Sequence, residues 1–171
     1  MTWLIILLAL ALVVSPVMWL KPSPRQKRVA GLRNAVIKAG VEVKLEVPPL
    51  HDTDKAMPAY RWRYPQERPG PTFVLVRDSE SGESLKPCHA GWRWRTEPLR
   101  PLPEAARERL FALLERLPQD ALVLESNEHT LTLWWYESQT AERFLSYRED
   151  FLFLRDQLAG RPDRPRPTPR A

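Results

Sequence analysis

The chain has 171 residues and carries 26 lysines and arginines against 21 aspartates and glutamates, which gives a net charge of +5 and a pI near 9.7. Its single cysteine, Cys88, excludes an intramolecular disulfide framework and is typical of a reducing compartment. With six glycines in all, the chain has no phosphate-cradling glycine loop, and it also lacks a nucleophile elbow and a paired-carboxylate signature.

Residues 1–22 are predicted to form a transmembrane anchor. From Trp3 to Leu20 the segment has no charged residue and is built mostly from Leu, Ile, Val and Ala. As a helix it would span roughly 27 Å, close to the hydrocarbon thickness of a bilayer, about 30 Å. Trp3 and Trp19 stand near its two ends, where indole rings favour the headgroup boundary. A cleaved signal peptide is the main alternative, but the bulky residues before Lys21 do not fit a cleavage site.

Residues 23–40 are predicted to form a basic amphipathic helix that begins with Ser23 as N-cap and ends at Gly40. Basic residues follow the apolar run and no acid interrupts them, so the N-terminus is expected outside and the remainder in the cytoplasm. This predicts a single-pass protein of a bacterial inner membrane. Alternatively, the helix packs its apolar stripe on the following domain. The residues expected to contact anionic lipid headgroups are Lys21, Arg25, Lys27 and Arg28.

The basic charge is confined to two short regions. Residues 21–38 contain six basic residues and no acid, and the Pro- and Arg-rich tail, residues 161–171, is also basic. Residues 39–160 are therefore mildly acidic, which argues against a nucleic-acid-binding domain. The tail cannot bury apolar surface and is predicted to be disordered. Binding of an anionic polymer through this tail is kept as an alternative function.

The N-terminal region resembles the YajC-type accessory subunit of the bacterial preprotein translocase. The resemblance rests on an apolar span followed by Lys-Pro-Ser-Pro-Arg-Gln-Lys-Arg at residues 21–28, and it covers about the first 45 residues. That family has one span, an Arg-Pro-Gln-rich basic segment and a small β-rich cytoplasmic domain. The family's Gly-Gly pair is absent after Gly40, and this chain is longer. The resemblance implies an inner-membrane protein with a translocase neighbour.

Residues 41–160 are predicted to form one cytoplasmic α+β domain in which an antiparallel sheet packs against helices. Apolar and charged residues alternate most clearly from Val41 to Val47, which predicts a half-buried strand. Apolar residues between Phe144 and Leu158 recur every three or four positions, which predicts a helix covering one sheet face. The other predicted elements are strands near 60–64, 73–76, 92–95, 123–125 and 130–136, a helix from Pro103 to Leu117, and a hairpin turn near Asn127.

Two Arg-Trp-Arg triplets, residues 61–63 and 93–95, are the most distinctive local pattern. On strands their tryptophans point to one face and their arginines to the other. One interpretation is an exposed arginine strip that contacts an anionic surface or partner. The other is that the tryptophans fill the core while the arginines pair with acids across strands. The strip consists of Arg61, Arg63, Arg93 and Arg95, and its expected acidic partners are Glu42, Glu46, Glu125 and Glu137.

Cys88 and His89 are the nearest approach to a catalytic pair. Adjacent residues on an extended chain point apart, so they do not form a nucleophile and base by themselves. The common zinc spacings need further cysteines, and the His51 loop lacks partner histidines. No catalytic, cofactor-binding or metal-binding residue is therefore predicted, although a small membrane-bound enzyme with a site near Cys88 and His89 is kept as an alternative.

These observations favour a non-catalytic, membrane-anchored interaction or accessory protein of a bacterial inner-membrane complex, with the translocase as one candidate. The expected partners are the lipid bilayer, its anionic headgroups and an unidentified membrane protein. No cofactor is expected.

Overall fold

The computed structural model describes residues 22–51 and 53–163, together with Trp3 and Ile6. Within these ranges the fold is α+β with an antiparallel sheet and helices, as predicted. The elements in chain order are α1 (Pro24–Lys38), β1 (Glu42–Glu46), β2 (Met57–Arg63), β3 (Phe73–Arg77), a short 3-10 turn (Asp78–Glu80), β4 (Lys86–His89), β5 (Trp92–Thr96), α2 (Glu104–Arg116), β6 (Ala121–Ser126), β7 (Thr130–Trp135), α3 (Ala141–Leu145) and α4 (Arg148–Leu158).

The seven described strands form one antiparallel sheet in the order β1-β2-β7-β6-β3-β5-β4. The hairpin β6–β7 lies in the middle, and its turn is closed by the Asn127 N–H, which donates to the Thr130 carbonyl at 3.0 Å. Strands β1 and β4 lie at the two ends of the sheet. One edge of the sheet is therefore formed by β1 and the other by β4.

The helices cover one face of the sheet, and the main core lies between the two layers. Aromatic rings dominate it: Trp62 stacks on Phe151 with centroids 3.9 Å apart, and Trp135 stacks on Phe144 at 4.7 Å. These side chains are almost wholly buried. Because each large aromatic side chain buries on the order of 150–250 Å², they supply much of the hydrophobic stabilisation.

A second, smaller core lies on the opposite face. Met57, Ala59 and Trp134 are buried there with Leu122 and Val123. The loop after β1 brings Leu50 onto this cluster. Part of the face opposite the helices is therefore covered by chain rather than left open.

Local sequence explains the helix ends. The Ser23 hydroxyl accepts the Gln26 N–H at 3.2 Å while the Gln26 side chain accepts the Ser23 N–H at 2.7 Å, and Pro24 occupies the first turn. This reciprocal capping box fixes the start of α1 where the sequence predicted it. The helix predicted from Thr140 instead divides into α3 and α4. At the break the Ser146 hydroxyl donates to the Arg143 carbonyl at 2.7 Å, a local bond that competes with helix continuation.

The predicted membrane-spanning part of the fold is wrong, and with it the placement as a single-pass inner-membrane protein with its N-terminus outside. No helix within residues 22–51 and 53–163 is long and apolar enough to cross a membrane. The longest, α1, has 15 residues and is rich in basic side chains, whereas a span needs about 20 apolar residues. Of the predicted anchor residues Trp3 is described and 79% exposed, while Trp19 and Leu20 lie outside the described residues.

Candidate interaction surface at the edge of the sheet

Strand β1 ends the sheet on one side. Together with Ile37 of α1 and with Val47, which follows the strand, β1 forms a surface that we call the β1 edge. The five residues of β1 pair with β2 in uninterrupted register, from Glu42 opposite Arg61 to Glu46 opposite Met57. No strand among the described residues pairs with its other side. Because backbone N–H and C=O groups alternate in direction along a strand, half of those in β1 point outward and could bond one more strand.

Apolar side chains remain exposed along this edge on the side of the sheet that carries the helices. Val41 is buried by the end of α1, but farther along the strand Leu45 is 58% exposed and Val47 is 53% exposed. Ile37, in the last turn of α1, is 55% exposed. A partner that covered these half-exposed side chains would gain on the order of 1 kcal/mol from each.

The opposite side of β1 carries charge. Glu42 accepts from Arg63 at 2.7 Å and lies 3.1 Å from Lys44, and Glu46 accepts from Arg61 at 2.5 Å. The hydrogen bonds from Lys44 and Arg63 lower the pKa of Glu42, and the bond from Arg61 lowers the pKa of Glu46. The edge therefore presents an ionised acid–base–acid pattern beside its apolar side chains.

A buried carboxylate holds α1 over this end of the sheet. Glu137 is 4% exposed, and both of its oxygens accept from Arg33 of α1, at 2.7 and 2.8 Å. The Tyr60 hydroxyl of β2 donates to the same carboxylate at 2.8 Å. The hydrogen bond with Glu137 raises the pKa of Arg33, and burial raises the pKa of Tyr60. Glu137 has a φ of +58°, a left-handed conformation that costs about 1 kcal/mol or more.

The other end of the sheet is built differently. Strand β4 has four residues, and its pairing with β5 shifts register between Pro87 and His89. Pro87 has no N–H to offer an added strand, and irregular pairing twists an edge away from partners. Lys86, 65% exposed and paired with Glu97 at 2.7 Å, adds a charge. These features blunt this edge against further strand pairing.

The structure does not bring the arginine strip together. Arg61 and Arg63 lie on β2, whereas Arg93 and Arg95 lie on β5, and three strands separate them. At a spacing of about 4.8 Å between strands, the two pairs are roughly 19 Å apart.

Each arginine of the strip also has a partner within the fold. Arg61 and Arg63 pair with the β1 glutamates, Arg93 pairs with Asp78 at 2.6 Å, and Arg95 donates to the Pro49 carbonyl. The other two expected acids bind elsewhere: Glu125 accepts from Trp134 at 3.1 Å, and Glu137 pairs with Arg33. That these arginines contact a partner remains a prediction, and they would do so as two separate pairs.

Cys88 and His89 lie on β4. The Cys88 thiol is half-buried, and burial raises its pKa to about 11, so it is almost wholly protonated at neutral pH. His89 stacks on Phe111 of α2 with centroids 4.5 Å apart, and its Nε2 lies 2.7 Å from Glu115. Within residues 22–51 and 53–163 no group of three or more His, Cys, Asp or Glu could hold a metal ion.

The residues predicted to contact lipid headgroups differ in their surroundings in the structure. Lys21 lies outside the described residues, and Arg25 and Lys27 are exposed on the first turns of α1. Arg28 donates to the Gln139 carbonyl at 2.9 Å and to the Ser138 carbonyl, so it fastens α1 to the segment after β7. Leu32 and Val36 of the same helix are buried in the core. The helix thus packs on the sheet, the alternative that the amphipathic pattern left open.

Sequence reasoning missed the exposed side chains of the β1 edge. The alternation from Val41 to Val47 assigns all four valine and leucine side chains to a buried face. Which strand lies at an end of the sheet depends on the pairing order, and a single strand's pattern does not contain it. The one available signal was position, since this is the first predicted strand of the chain and is bounded by Gly40 and the Pro48–Pro49 pair.

No protein-family model and no curated protein sequence matches the chain. One solved structure with a similar chain path is the crystal structure of the mycobacterial trehalose monomycolate transport factor A, TtfA. The match covers 82% of this chain and 97% of that chain, with 10% sequence identity and a TM-score of 0.41. This is a distant resemblance of chain path and does not bear on function.

Proposed function

We propose that this domain is a non-catalytic interaction module, an accessory protein that binds an extended segment of a partner protein along the β1 edge. The observation that carries the proposal is a regular, unpaired strand edge flanked by exposed apolar side chains. An added strand would satisfy the outward N–H and C=O groups of β1. The same strand would cover Leu45 and Val47.

The pattern of β1 also defines the segment it would accept. On the helix side the segment needs apolar residues at alternate positions, because side chains of neighbouring strands meet on the same face. On the other side basic residues are favoured opposite Glu42 and Glu46, and an acidic residue opposite Lys44. The partner segment is therefore a short amphipathic strand of alternating apolar and charged residues. Because residues 1–45 resemble the YajC-type subunit, preprotein translocase subunits are among the first partners to examine.

Site-specific photo-cross-linking in the native cell tests this proposal. A photoreactive residue is placed at Leu45 or Val47, and at Leu99, which is 71% exposed but lies in the linker between β5 and α2. Cross-links from the two edge positions should map to one short segment of one partner and should be absent from Leu99. A synthetic peptide of that segment should slow hydrogen exchange in β1.

The affinity of that peptide provides the decisive comparison. Leu45→Glu combined with Val47→Glu should weaken binding by about tenfold or more, since it removes apolar contact and adds charge. Leu99→Glu, the matched control, should leave the affinity unchanged. Cross-links only to a second copy of this chain, or equal labelling from all three positions, would contradict the proposal.

A further inference from the structure

A groove of about 440 Å³ lies away from the β1 edge and shares no residue with it. Three chain segments form its walls: the loop after β2, the linker before α2 and the residues that follow α4. The lining consists of three arginines, one aspartate and otherwise apolar residues and a glycine. The lining residues are Arg68, Pro71, Arg100, Pro101, Leu102, Pro103, Ala159, Gly160, Arg161 and Asp163.

The positive charge of this groove is not neutralised by acidic residues of its own walls. Arg100 and Arg161 make no ion pair and no side-chain hydrogen bond with any residue in the described ranges, unlike most arginines there. Arg68 donates only to a carbonyl, that of Ala159, at 3.2 Å. The one lining carboxylate, that of Asp163, accepts the Thr72 N–H at 3.0 Å. Three guanidinium groups against one engaged carboxylate leave a net positive site.

Backbone contacts join two of the walls, in addition to the bond from Arg68. The N–H groups of Gly160 and Arg161 both donate to the Pro69 carbonyl, at 2.9 and 3.1 Å, and so join the end of α4 to the loop after β2. Gly160 has a φ of +82°, which favours glycine at this turn. At Gly70 a Cβ atom would lie 2.2 Å from the Tyr64 ring, so the loop lies directly against that ring. These two walls are therefore held together by the fold itself.

We propose that this groove binds a small organic phosphate. Guanidinium groups bind phosphate through paired N–H donors, and two of the three here have no other partner in the described structure. The volume suits a ligand of metabolite size. Pro71, Pro101, Leu102 and Pro103 supply an apolar wall for the body of the molecule. The expected ligand is thus a phosphate monoester with a flat or apolar body, which a soluble ester or a lipid could provide.

Calorimetric titration of the full chain with phenyl phosphate, at constant ionic strength, tests the site. We expect saturable binding that is tighter than that of inorganic phosphate, because the proline wall contacts the ring. Arg100→Gln combined with Arg161→Gln should weaken binding by about tenfold or more, the loss expected when charge-assisted hydrogen bonds are removed. Both side chains are exposed, so the midpoint of thermal unfolding should not change.

The matched control is Arg107→Gln. Arg107 is also exposed, pairs with Glu104 at 2.6 Å in the first turn of α2, and does not line the groove. This variant should bind phenyl phosphate as the unmodified chain does. The absence of saturable binding, or equal losses in the control and the double variant, would overturn the proposal.

A competition assay separates the two sources of phosphate. Phosphatidylcholine vesicles that contain phosphatidic acid are added to the complex with phenyl phosphate, and pure phosphatidylcholine vesicles serve as control. Displacement only by the anionic vesicles would assign the site to a lipid headgroup, and the double variant should then bind those vesicles more weakly than the Arg107→Gln control does. No displacement would assign it to a soluble ester. Displacement by both kinds of vesicle would contradict a phosphate-specific site.

Discussion

At the β1 end of the sheet a five-residue strand pairs regularly and leaves Leu45 and Val47 exposed, whereas at the β4 end a four-residue strand carries Pro87 and a register shift. The supporting contacts differ as well. Behind the β1 end the buried Glu137 binds both α1 and β2, whereas at the β4 end Cys88 packs against the core and His89 makes contacts nearer the surface. The β1 edge is left open, and the β4 edge is blunted against strand pairing. Protection of the β4 edge is explained by solubility alone. The open β1 edge is therefore the better candidate for a binding surface.

The largest expected effect comes from the support behind β1. Glu137→Ala should lower the free energy of unfolding by about 3 kcal/mol, because it leaves the Arg33 guanidinium and the Tyr60 hydroxyl without their acceptor. Urea denaturation measures this. Tyr60→Phe, which removes one hydrogen bond and keeps the ion pair, should cost only about 1 kcal/mol. Equal losses in the two variants would show that the ion pair between Arg33 and Glu137 adds nothing to the support of this end.

The second-largest expected effect is a loss of stability at acid pH, when the ion pairs of β1 are lost. The pKa of Glu42 and that of Glu46 are lowered in the folded chain below the unfolded value of 4.5. Their ion pairs therefore contribute fully above about pH 4.5 and are lost as the pH falls through the folded values. Because at least one member of each pair is substantially exposed, each pair should be worth at most about 1 kcal/mol, and less in salt.

Urea denaturation at several pH values measures this contribution. The double variant Glu42→Gln, Glu46→Gln should show a shallower fall in stability between about pH 6 and 3 than the unmodified chain. An unchanged pH dependence would mean that the pairs seen on β1 do not stabilise the fold.

At the β4 end the expected effect is smaller. His89→Ala removes the stacking on Phe111 and the contact with Glu115, and both partners of the latter are substantially exposed. The free energy of unfolding should fall by about 0.5 kcal/mol. A loss as large as that of Glu137→Ala would erase the difference in support between the two ends.

The smallest expected effect is on the reactivity of the Cys88 thiol and not on stability. Because burial raises the Cys88 pKa to about 11, iodoacetamide should alkylate the native thiol slowly at about pH 8 and much faster in urea. The native rate should rise as the pH approaches about 11. Equally rapid alkylation in both states would show a thiol that is not protected by the fold.

The sequence predicted those features that depend on neighbours in the chain. The N-cap at Ser23, the hairpin turn at Asn127 and the aromatic face of Trp62 each follow from spacing over a few residues. Two of the acids expected beside the arginines, Glu42 and Glu46, do pair with them across strands. These predictions hold because capping, turns and side-chain alternation are set by local geometry.

Features that depend on contacts between residues far apart in the chain were not predicted. Strand β4 was missed because Lys86, Pro87 and His89 show no alternation and proline argues against a strand. Glu137 was expected to pair with the strip, yet its left-handed backbone turns it toward Arg33, 104 positions away. The β1 edge depends on the order of the strands, and the arginine-lined groove depends on the meeting of three chain segments, so no single segment encodes either feature.

The close approach of Gly70 to Tyr64 has an evolutionary consequence. Any side chain at this position would displace the Tyr64 ring and break the hydroxyl contact at 2.8 Å between Tyr64 and Ser126, so replacement of Gly70 alone should be disfavoured. When homologous chains are aligned, glycine at position 70 together with tyrosine at 64 should persist as a paired signature. That pair would help to recognise distant members by eye.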